Sequence, residues 1–275
     1  MEHFNANPSL CVQCGACVKD CPSRIILQLN KGTPFVADDA AAACMRCQHC
    51  LAVCPKGAVS VDGVASAGSL PLNAAGALPT EEQVRRLMRG RRTTRQYKQQ
   101  DADPALVARL LDDLAYAPTG RNARALQIRV IDSRVVMDRF RAKMLDACRR
   151  KAAETPTLFP LAGHAVAEWE NGRDLVLRGA PHALAIFAPP DAPCPQEDTT
   201  LALAYFELLA NAAGLGTTWC GLLKWVMEAL PELKEFWGIP AKAAYYTMLF
   251  GVPDVKYART VQRAWPEGAV KKVSE

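Results

Sequence analysis

The sequence predicts an α+β protein of two domains, a small cysteine-rich one followed by a larger one. Three observations predict it. A twelve-residue cysteine run occurs twice near the N-terminus, at a constant offset of 33 residues. Between Asp62 and Pro79 the composition shifts to Gly, Ala, Ser and Pro with almost no charge. Beyond it, helical and strand patterns mix without a regular β-α-β alternation, which favours α+β over a doubly wound sheet. A length of 275 residues and an apolar content of 50% suit two ordinary domains, each with its own core.

The first run is CVQCGACVKDCP, from Cys11 to Pro22, and its echo is CMRCQHCLAVCP, from Cys44 to Pro55. Both read C-x2-C-x2-C-x3-C-P, so Cys11, Cys14, Cys17 and Cys21 recur as Cys44, Cys47, Cys50 and Cys54. This pattern resembles the bacterial-type ferredoxins that hold two 4Fe–4S clusters. A four-iron cube needs one thiolate per iron, and three cysteines spaced by two residues put three thiolates on one tight loop. In such ferredoxins the fourth cysteine of each run ligates the other cluster. The resemblance therefore implies one set of Cys11, Cys14, Cys17 and Cys54, and a second of Cys44, Cys47, Cys50 and Cys21. The competing readings fit worse: disulfides belong to oxidising compartments, and zinc knuckles have no use for four cysteines per run with a trailing Cys-Pro. His49, between two of the cysteines, reads as a loop side chain.

Behind each Cys-Pro comes a short apolar segment, Ile25-Ile26-Leu27 and Ala58-Val59-Ser60-Val61, expected as strands. So few apolar residues cannot make a large core, and bound metal is expected to supply much of the folding energy. The expected organisation is a cluster domain over 1–62, a linker over 63–79 and a larger domain over 80–275. Acidic and basic residues balance within 1–62, so the formal net charge of +5 lies downstream. Spread over the remainder it is too weak to argue nucleic-acid binding. No run approaches the length of a membrane span and Met1–Leu10 lacks the features of a signal peptide, so a cytoplasmic protein is expected. Cys148, Cys194 and Cys220 stand outside any ligand spacing and read as small apolar side chains.

The larger domain opens with a helix marked by a capping box, Thr80 and Gln83, with Val84, Leu87 and Met88 on one face and Gly90 as its stop. A second helix begins at Asp103-Pro104 with Val107, Leu110, Leu111 and Leu114 as its stripe. Strands are expected at 127–132, 183–188 and 244–250, and helices near 135–150, 198–213 and 226–236. His164 and His182 stand singly and are assigned no acid–base role. Trp219, Trp225 and Trp237 read as core or interface aromatics.

The chemistry of this domain is expected in its loops. Arg91-Arg92-Thr93-Thr94-Arg95 puts three guanidiniums and two hydroxyls into five residues, and Arg suits planar recognition of phosphate. The alternative is a solvated basic turn. A second loop is Ala117-Pro118-Thr119-Gly120-Arg121-Asn122, a third is Gly214-Leu215-Gly216-Thr217-Thr218-Trp219, and Gly251-Val252-Pro253 leads to Lys256, Arg259 and Arg263. In order and spacing these resemble the flavin-dependent nitroreductase family over about residues 80–265. The resemblance implies a central sheet flanked by helices, and FMN as cofactor. It places Arg92, Thr93 and Arg95, with Arg91 beside them, at the phosphate and ring edge, and Pro118, Thr119, Gly120 and Asn122 across a dimer interface. It brings the Gly216-Thr217 turn close to the flavin, with glycine permitting backbone approach, and Arg263 or else Arg259 to the phosphate. Family members often continue Asn-x-Gln-Pro-Trp, whereas this chain has Asn122-Ala123-Arg124-Ala125-Leu126, which puts an arginine donor at Arg124.

Together the halves imply an oxidoreductase that passes electrons from two 4Fe–4S clusters to FMN and then to an electron-poor organic acceptor, nitroaromatic or quinone-like. The expected partners are a second copy of the chain, an electron donor (reduced ferredoxin or NAD(P)H) and a small-molecule acceptor, with no nucleic acid and no membrane. No protein nucleophile or other catalytic side chain is needed, because the hard chemistry belongs to the cofactors. The alternative is an electron carrier serving a protein partner, with no small-molecule substrate.

Overall fold

A computed structural model describes residues 3–155 and 160–273. The chain forms two compact units, the first made of residues 1–79 with 121–123, the second of 80–120 with 124–275.

In the first unit, β1 (Phe4–Ala6) is followed by α1 (Ala16–Asp20), β2 (Ile26–Leu27), β3 (Phe35–Val36), α2 (His49–Ala52), β4 (Val59–Val61) and β5 (Val64–Ala65). β1 pairs antiparallel with β4, setting Phe4 opposite Val61, and β2 pairs with β3, setting Ile26 opposite Val36. β5 pairs with β4, so ordered pairing runs on past Asp62, where the sequence places the start of the linker. Among the described residues, the buried core cluster of this unit is formed by Phe4, Cys17, Ile26, Leu51, Val59 and Val61.

The 33-residue repeat is present in the backbone as well as in the letters. Gln13 and Arg46 both lie in the left-handed region, at φ 58° and 53°, as do Gly15 and Gln48, at φ 70° and 58°. α1 and α2 start at Ala16 and His49, again one repeat apart. A left-handed residue reverses the chain between successive cysteines, and its recurrence outside glycine marks a loop whose shape is imposed from around it.

The second unit contains α3 (Glu81–Gly90), α4 (Pro104–Asp112), β6 (Gln127–Ile131), α5 (Arg134–Glu154), α6 (Pro160–Glu170), β7 (His182–Ala188), α7 (Pro195–Ala212), β8 (Gly216–Trp219), α8 (Gly221–Ala229), α9 (Pro231–Phe236) and β9 (Ala244–Gly251). The four strands form one antiparallel sheet in the order β6-β7-β9-β8. β7 is central and buried on both faces, and its side chains alternate between two cores. Ala183, Ala185 and Phe187 meet Phe140 and Met144 of α5 and Leu223 and Met227 of α8. Leu184 and Ile186 meet Val107 and Leu110 of α4 and Ala202, Leu203 and Phe206 of α7. The sheet is thus covered by helices on both faces.

The helix starts follow from capping chemistry. Thr80 Oγ1 accepts from Gln83 N–H and Gln83 Oε1 accepts from Thr80 N–H, and Asp103 Oδ1 accepts from Ala105 N–H. Three expectations change. The helix read across 226–236 is two, α8 and α9, because Pro231 cannot continue the first and starts the second. β8 replaces the loop expected after Gly214. α3 buries none of its residues, so the face formed by Val84 and Met88 stays exposed.

Candidate functional site

Within the first unit, two cavities gather the eight motif thiols in two sets of four. Cys11, Cys14, Cys17 and Cys54 line one, and Cys21, Cys44, Cys47 and Cys50 line the other. Each set takes three thiols from one run and the last from the other, the grouping that crossed ligation requires. The second cavity is walled by Phe4, Ile26, Val36 and Val61, an apolar surround. All eight thiols are free of disulfides.

Burial pushes the Cys17 thiol up, and the nearby Cys54 and Cys11 push it further. Burial likewise raises Cys50, to about 11, with Cys47, Cys17 and Cys44 adding to it. Several half-buried sulfurs this close cannot all ionise unaided, and bound iron would supply the positive charge to hold them as thiolates. Backbone donors already point at sulfur: Gln13 N–H lies 3.4 Å from Cys11 Sγ and Ala58 N–H 3.2 Å from Cys54 Sγ. Such bonds stabilise the charge that a reduced cluster carries. Among the described residues no three Cys, His, Asp or Glu side chains converge as one ion would require. Each cavity thus offers four sulfur donors, the number that a 4Fe–4S cube takes.

In the second unit the structure brings three of the four expected loops into one seam. Thr93 bridges Thr217 in parallel register, and Thr94 N–H donates to Thr217 O at 2.9 Å. Tyr97 bridges Pro253, with Lys98 N–H on Val252 O and Asp254 N–H on Gln96 O, each 2.9 Å. The Tyr257 hydroxyl reaches Thr93 O at 3.3 Å. The 91–98 segment is thereby stitched between β8 and the chain leaving β9. A buried hydroxyl relay locks it: Thr218 Oγ1 donates to Thr94 O, and Tyr97 OH donates to Thr218 Oγ1 at 2.9 Å. Burial raises the Tyr97 phenol well above its ordinary range, so it stays a donor.

Along this seam Arg92 and Thr93 are half-buried and Arg95 is exposed. Three of the expected site residues have partners within the protein. The Arg91 guanidinium is engaged by Glu207 Oε1 at 3.0 Å, both side chains being largely buried. Thr217 is fully buried, its hydroxyl accepting from Asn211 Nδ2 at 3.0 Å. Gly216 is glycine because the Thr94 side chain fills its Cβ position: an added carbon would stand 2.5 Å from Thr94 Oγ1 and 2.7 Å from Thr94 Cβ. Gly214, at φ 84°, terminates α7, with Leu215 N–H on Ala210 O.

The fourth loop is held elsewhere. Gly120 N–H donates to Asp198 Oδ1 at 2.8 Å, and Arg124 N–H to Thr119 Oγ1 at 3.1 Å. Thr119 and Arg124 line a cleft with Leu111, Leu126 and Ile128, and Pro118 is exposed. Asn122 donates to the Met45 carbonyl at 2.8 Å, inside the first unit. Arg259 and Arg263 are exposed on a chain without regular structure. Glu207, Tyr97 and Asp198 were given no site role by the sequence, and Thr218 was read only as part of the third loop. Glu207 alone left a trace, as a carboxylate within the apolar stretch of α7.

Fold and donor sets define an α+β redox domain joined to an iron–sulfur domain. The nitroreductase family model matches residues 88–252, more than half of the chain, and a 4Fe–4S dicluster domain model matches residues 10–59. The chain belongs to the nitroreductase family and is an oxidoreductase with an N-terminal 4Fe–4S dicluster domain. It is similar in fold to a nitroreductase from Bacteroides fragilis solved with bound FMN, with a TM-score of 0.56 and 16% identity, covering 71% of this chain and 100% of that one. A Desulfitobacterium hafniense nitroreductase with bound FMN superposes with a TM-score of 0.54 at 18% identity, covering 70% of this chain and 98% of that one. An FMN-dependent nitroreductase from Clostridium difficile gives a TM-score of 0.53 at 17% identity, covering 70% and 100%. No curated protein sequence matches this one. No helix among the described residues is long and apolar enough to cross a membrane.

Proposed function

We propose that this protein is an FMN-dependent reductase fed through its own iron–sulfur domain, with electrons entering at two 4Fe–4S clusters and leaving to an electron-poor organic acceptor, a nitroaromatic or a quinone. One observation carries the reading: a nitroreductase-family domain and a dicluster domain, with its eight cysteines in two complementary sets, occupy one chain. Bound flavin supplies the conversion of single electrons into the paired transfer that organic acceptors need.

The residues have positional and electrostatic work. Arg92 and Arg95 on the seam present guanidiniums suited to a phosphate, and the Thr93–Thr217 bridge with the Tyr97–Thr218–Thr94 relay fixes the backbone they hang from. Arg259 or Arg263 adds a further cation, and the exposed Tyr257, Val261 and Trp265 beside them suit a second copy of the chain, giving a homodimer. The external donor is a one-electron reductant such as reduced ferredoxin, or NAD(P)H.

The test is anaerobic purification, release and identification of the flavin, and turnover of a nitroaromatic or quinone with reduced ferredoxin or dithionite as donor. Flavin-dependent turnover is expected. Protein bearing clusters that reduces only protein acceptors would replace this reading with an electron carrier.

A further inference from the structure

The two cysteine loops repeat in sequence and in backbone, but their surroundings do not. One pair of strands walls both cavities. Phe4 and Val61, opposite each other across β1 and β4, line the cavity of Cys21, Cys44, Cys47 and Cys50. Two residues along, Ala6 and Val59 are opposite each other and line the cavity of Cys11, Cys14, Cys17 and Cys54. A methyl group thus stands at the first set of thiols where a phenyl ring stands at the second. Of the eight thiols Cys14 is the exposed one, and the others are half-buried or buried.

The rims differ as well. Leu10 and Val12 flank Cys11, Val53 precedes Cys54, and the three are 49%, 54% and 38% exposed. One repeat away their counterparts are Ala43, Met45 and Asp20. Met45 is half-buried, lines the second cavity and has its carbonyl bonded to Asn122 Nδ2 at 2.8 Å. Asp20 is polar, its carboxylate 3.7 Å from His49 Nδ1. The exposed apolar rim therefore belongs to the first set alone, and the second loop folds without it. Apolar side chains gathered on a surface mark a contact site. The charge beside them is one-sided: across 8–19 and 51–58, the segments that supply these four thiols, the only charged residues are Lys19 and Lys56, both exposed.

We propose that the cluster of Cys11, Cys14, Cys17 and Cys54 is where electrons enter, and that Leu10, Val12, Val53 and Lys56 form the face on which an acidic one-electron carrier protein docks. The proposal rests on the reading of this chain as a reductase fed through its own clusters. Electron transfer falls steeply with distance, and an exposed ligand sulfur ringed by apolar side chains lets a carrier approach closely with water excluded. Each encounter moves one electron from the reduced carrier to the cluster; no bond is made or broken and no proton moves. Interfaces between redox proteins are small, and complementary charge at the rim speeds encounter more than it holds the complex.

The test uses the full-length protein, its clusters assembled anaerobically, turning over a quinone with either of two donors. One is a reduced plant-type ferredoxin, an acidic one-electron protein; the other is dithionite, which needs no docking face. Leu10→Ser and Lys56→Glu alter the proposed face without replacing a ligand, and Arg24→Glu is the matching charge reversal beside Cys21 of the second set. In Lys56→Glu the ferredoxin-driven kcat/KM is expected to fall about tenfold and its salt dependence to flatten. Leu10→Ser is expected to raise the KM for ferredoxin. Dithionite-driven turnover and iron content should match the unsubstituted protein in both, and Arg24→Glu should leave the ferredoxin kinetics unchanged. Unchanged ferredoxin kinetics in Leu10→Ser and Lys56→Glu would overturn the proposal, as would an equal loss in Arg24→Glu. Losses of the same size with dithionite would overturn it too, assigning these residues to the cluster rather than to docking. Turnover with dithionite and none with ferredoxin would exclude the acidic carrier. No turnover of the unsubstituted protein with dithionite would overturn the reductase reading itself.

Discussion

Replacing Gly216 by alanine tests how the seam of the second unit is built. The added carbon would lie 2.5 Å from Thr94 Oγ1, 2.6 Å from Thr94 Cγ2 and 2.7 Å from Thr94 Cβ, against about 3.5–4.0 Å for comfortable carbon contacts. Rotating the Thr94 side chain moves the first two atoms and leaves the third, because Cβ is fixed by the backbone. That backbone is itself held by Thr94 N–H on Thr217 O and by Thr218 Oγ1 on Thr94 O. The clash must therefore be relieved by parting the 91–98 segment from β8. Overpacking a buried site costs about 1–3 kcal/mol. Taking about 2 kcal/mol, the second unit should melt about 4–8 °C lower. Thermal unfolding followed by near-ultraviolet circular dichroism reads the shift, and hydrogen exchange at 217–218 and 93–98 locates it. Adding Thr94→Ala removes two of the three contacts and should restore only part of the loss. A melting temperature within about 1 °C of the unsubstituted protein, with unchanged exchange along the seam, would refute the packing argument.

Two further outcomes follow from the same geometry. Replacing Cys21 by serine should abolish the cluster served by Cys44, Cys47 and Cys50 and spare the one beside it in sequence, so iron content should fall to about half of the roughly eight irons expected for two clusters; EPR identifies which signal goes. His182 is fully buried, its Nε2 accepting from Ala102 N–H at 2.8 Å, and burial lowers its pKa, opposed by Asp101 and Asp132. The unfolded chain then binds the extra proton first, so the stability of the second unit should be full above about pH 6.5 and decline as pH falls below it. Denaturant unfolding from pH 5 to 8 should show this decline, and a His182→Gln variant should lack it; an identical pH dependence in both would assign the effect to other groups.

What the sequence made legible was set by how local the cause is. The cysteine runs, the capping box at Thr80 and Gln83 and the Asp103-Pro104 helix start each depend on residues within a few positions, and all have clear structural counterparts. The strands at 127–131, 182–188 and 244–251 were legible as short apolar runs bounded by turn residues. β8 was not, because Gly214 and Gly216 read as a turn, whereas Gly216 is small to admit Thr94 from more than a hundred residues away. α6 carries no clean apolar stripe, so nothing in the sequence announces it. The same limit applies at the candidate sites. Nothing near Arg91 announces Glu207 as its partner, and nothing near Asn122 announces the Met45 carbonyl. The order of the loops was readable from sequence. Which side chains already have partners, and which remain available to a ligand, depended on tertiary packing.

The most direct measurement of the central claim is a single turnover without external donor. Protein with its clusters chemically reduced and excess reductant removed is mixed anaerobically with a quinone or nitroaromatic, and cluster reoxidation is followed by stopped-flow absorbance in flavin-replete and flavin-stripped samples. Rapid reoxidation coupled to acceptor reduction is expected only when flavin is present. Equally fast reoxidation in the stripped protein would contradict a path from cluster to flavin to acceptor.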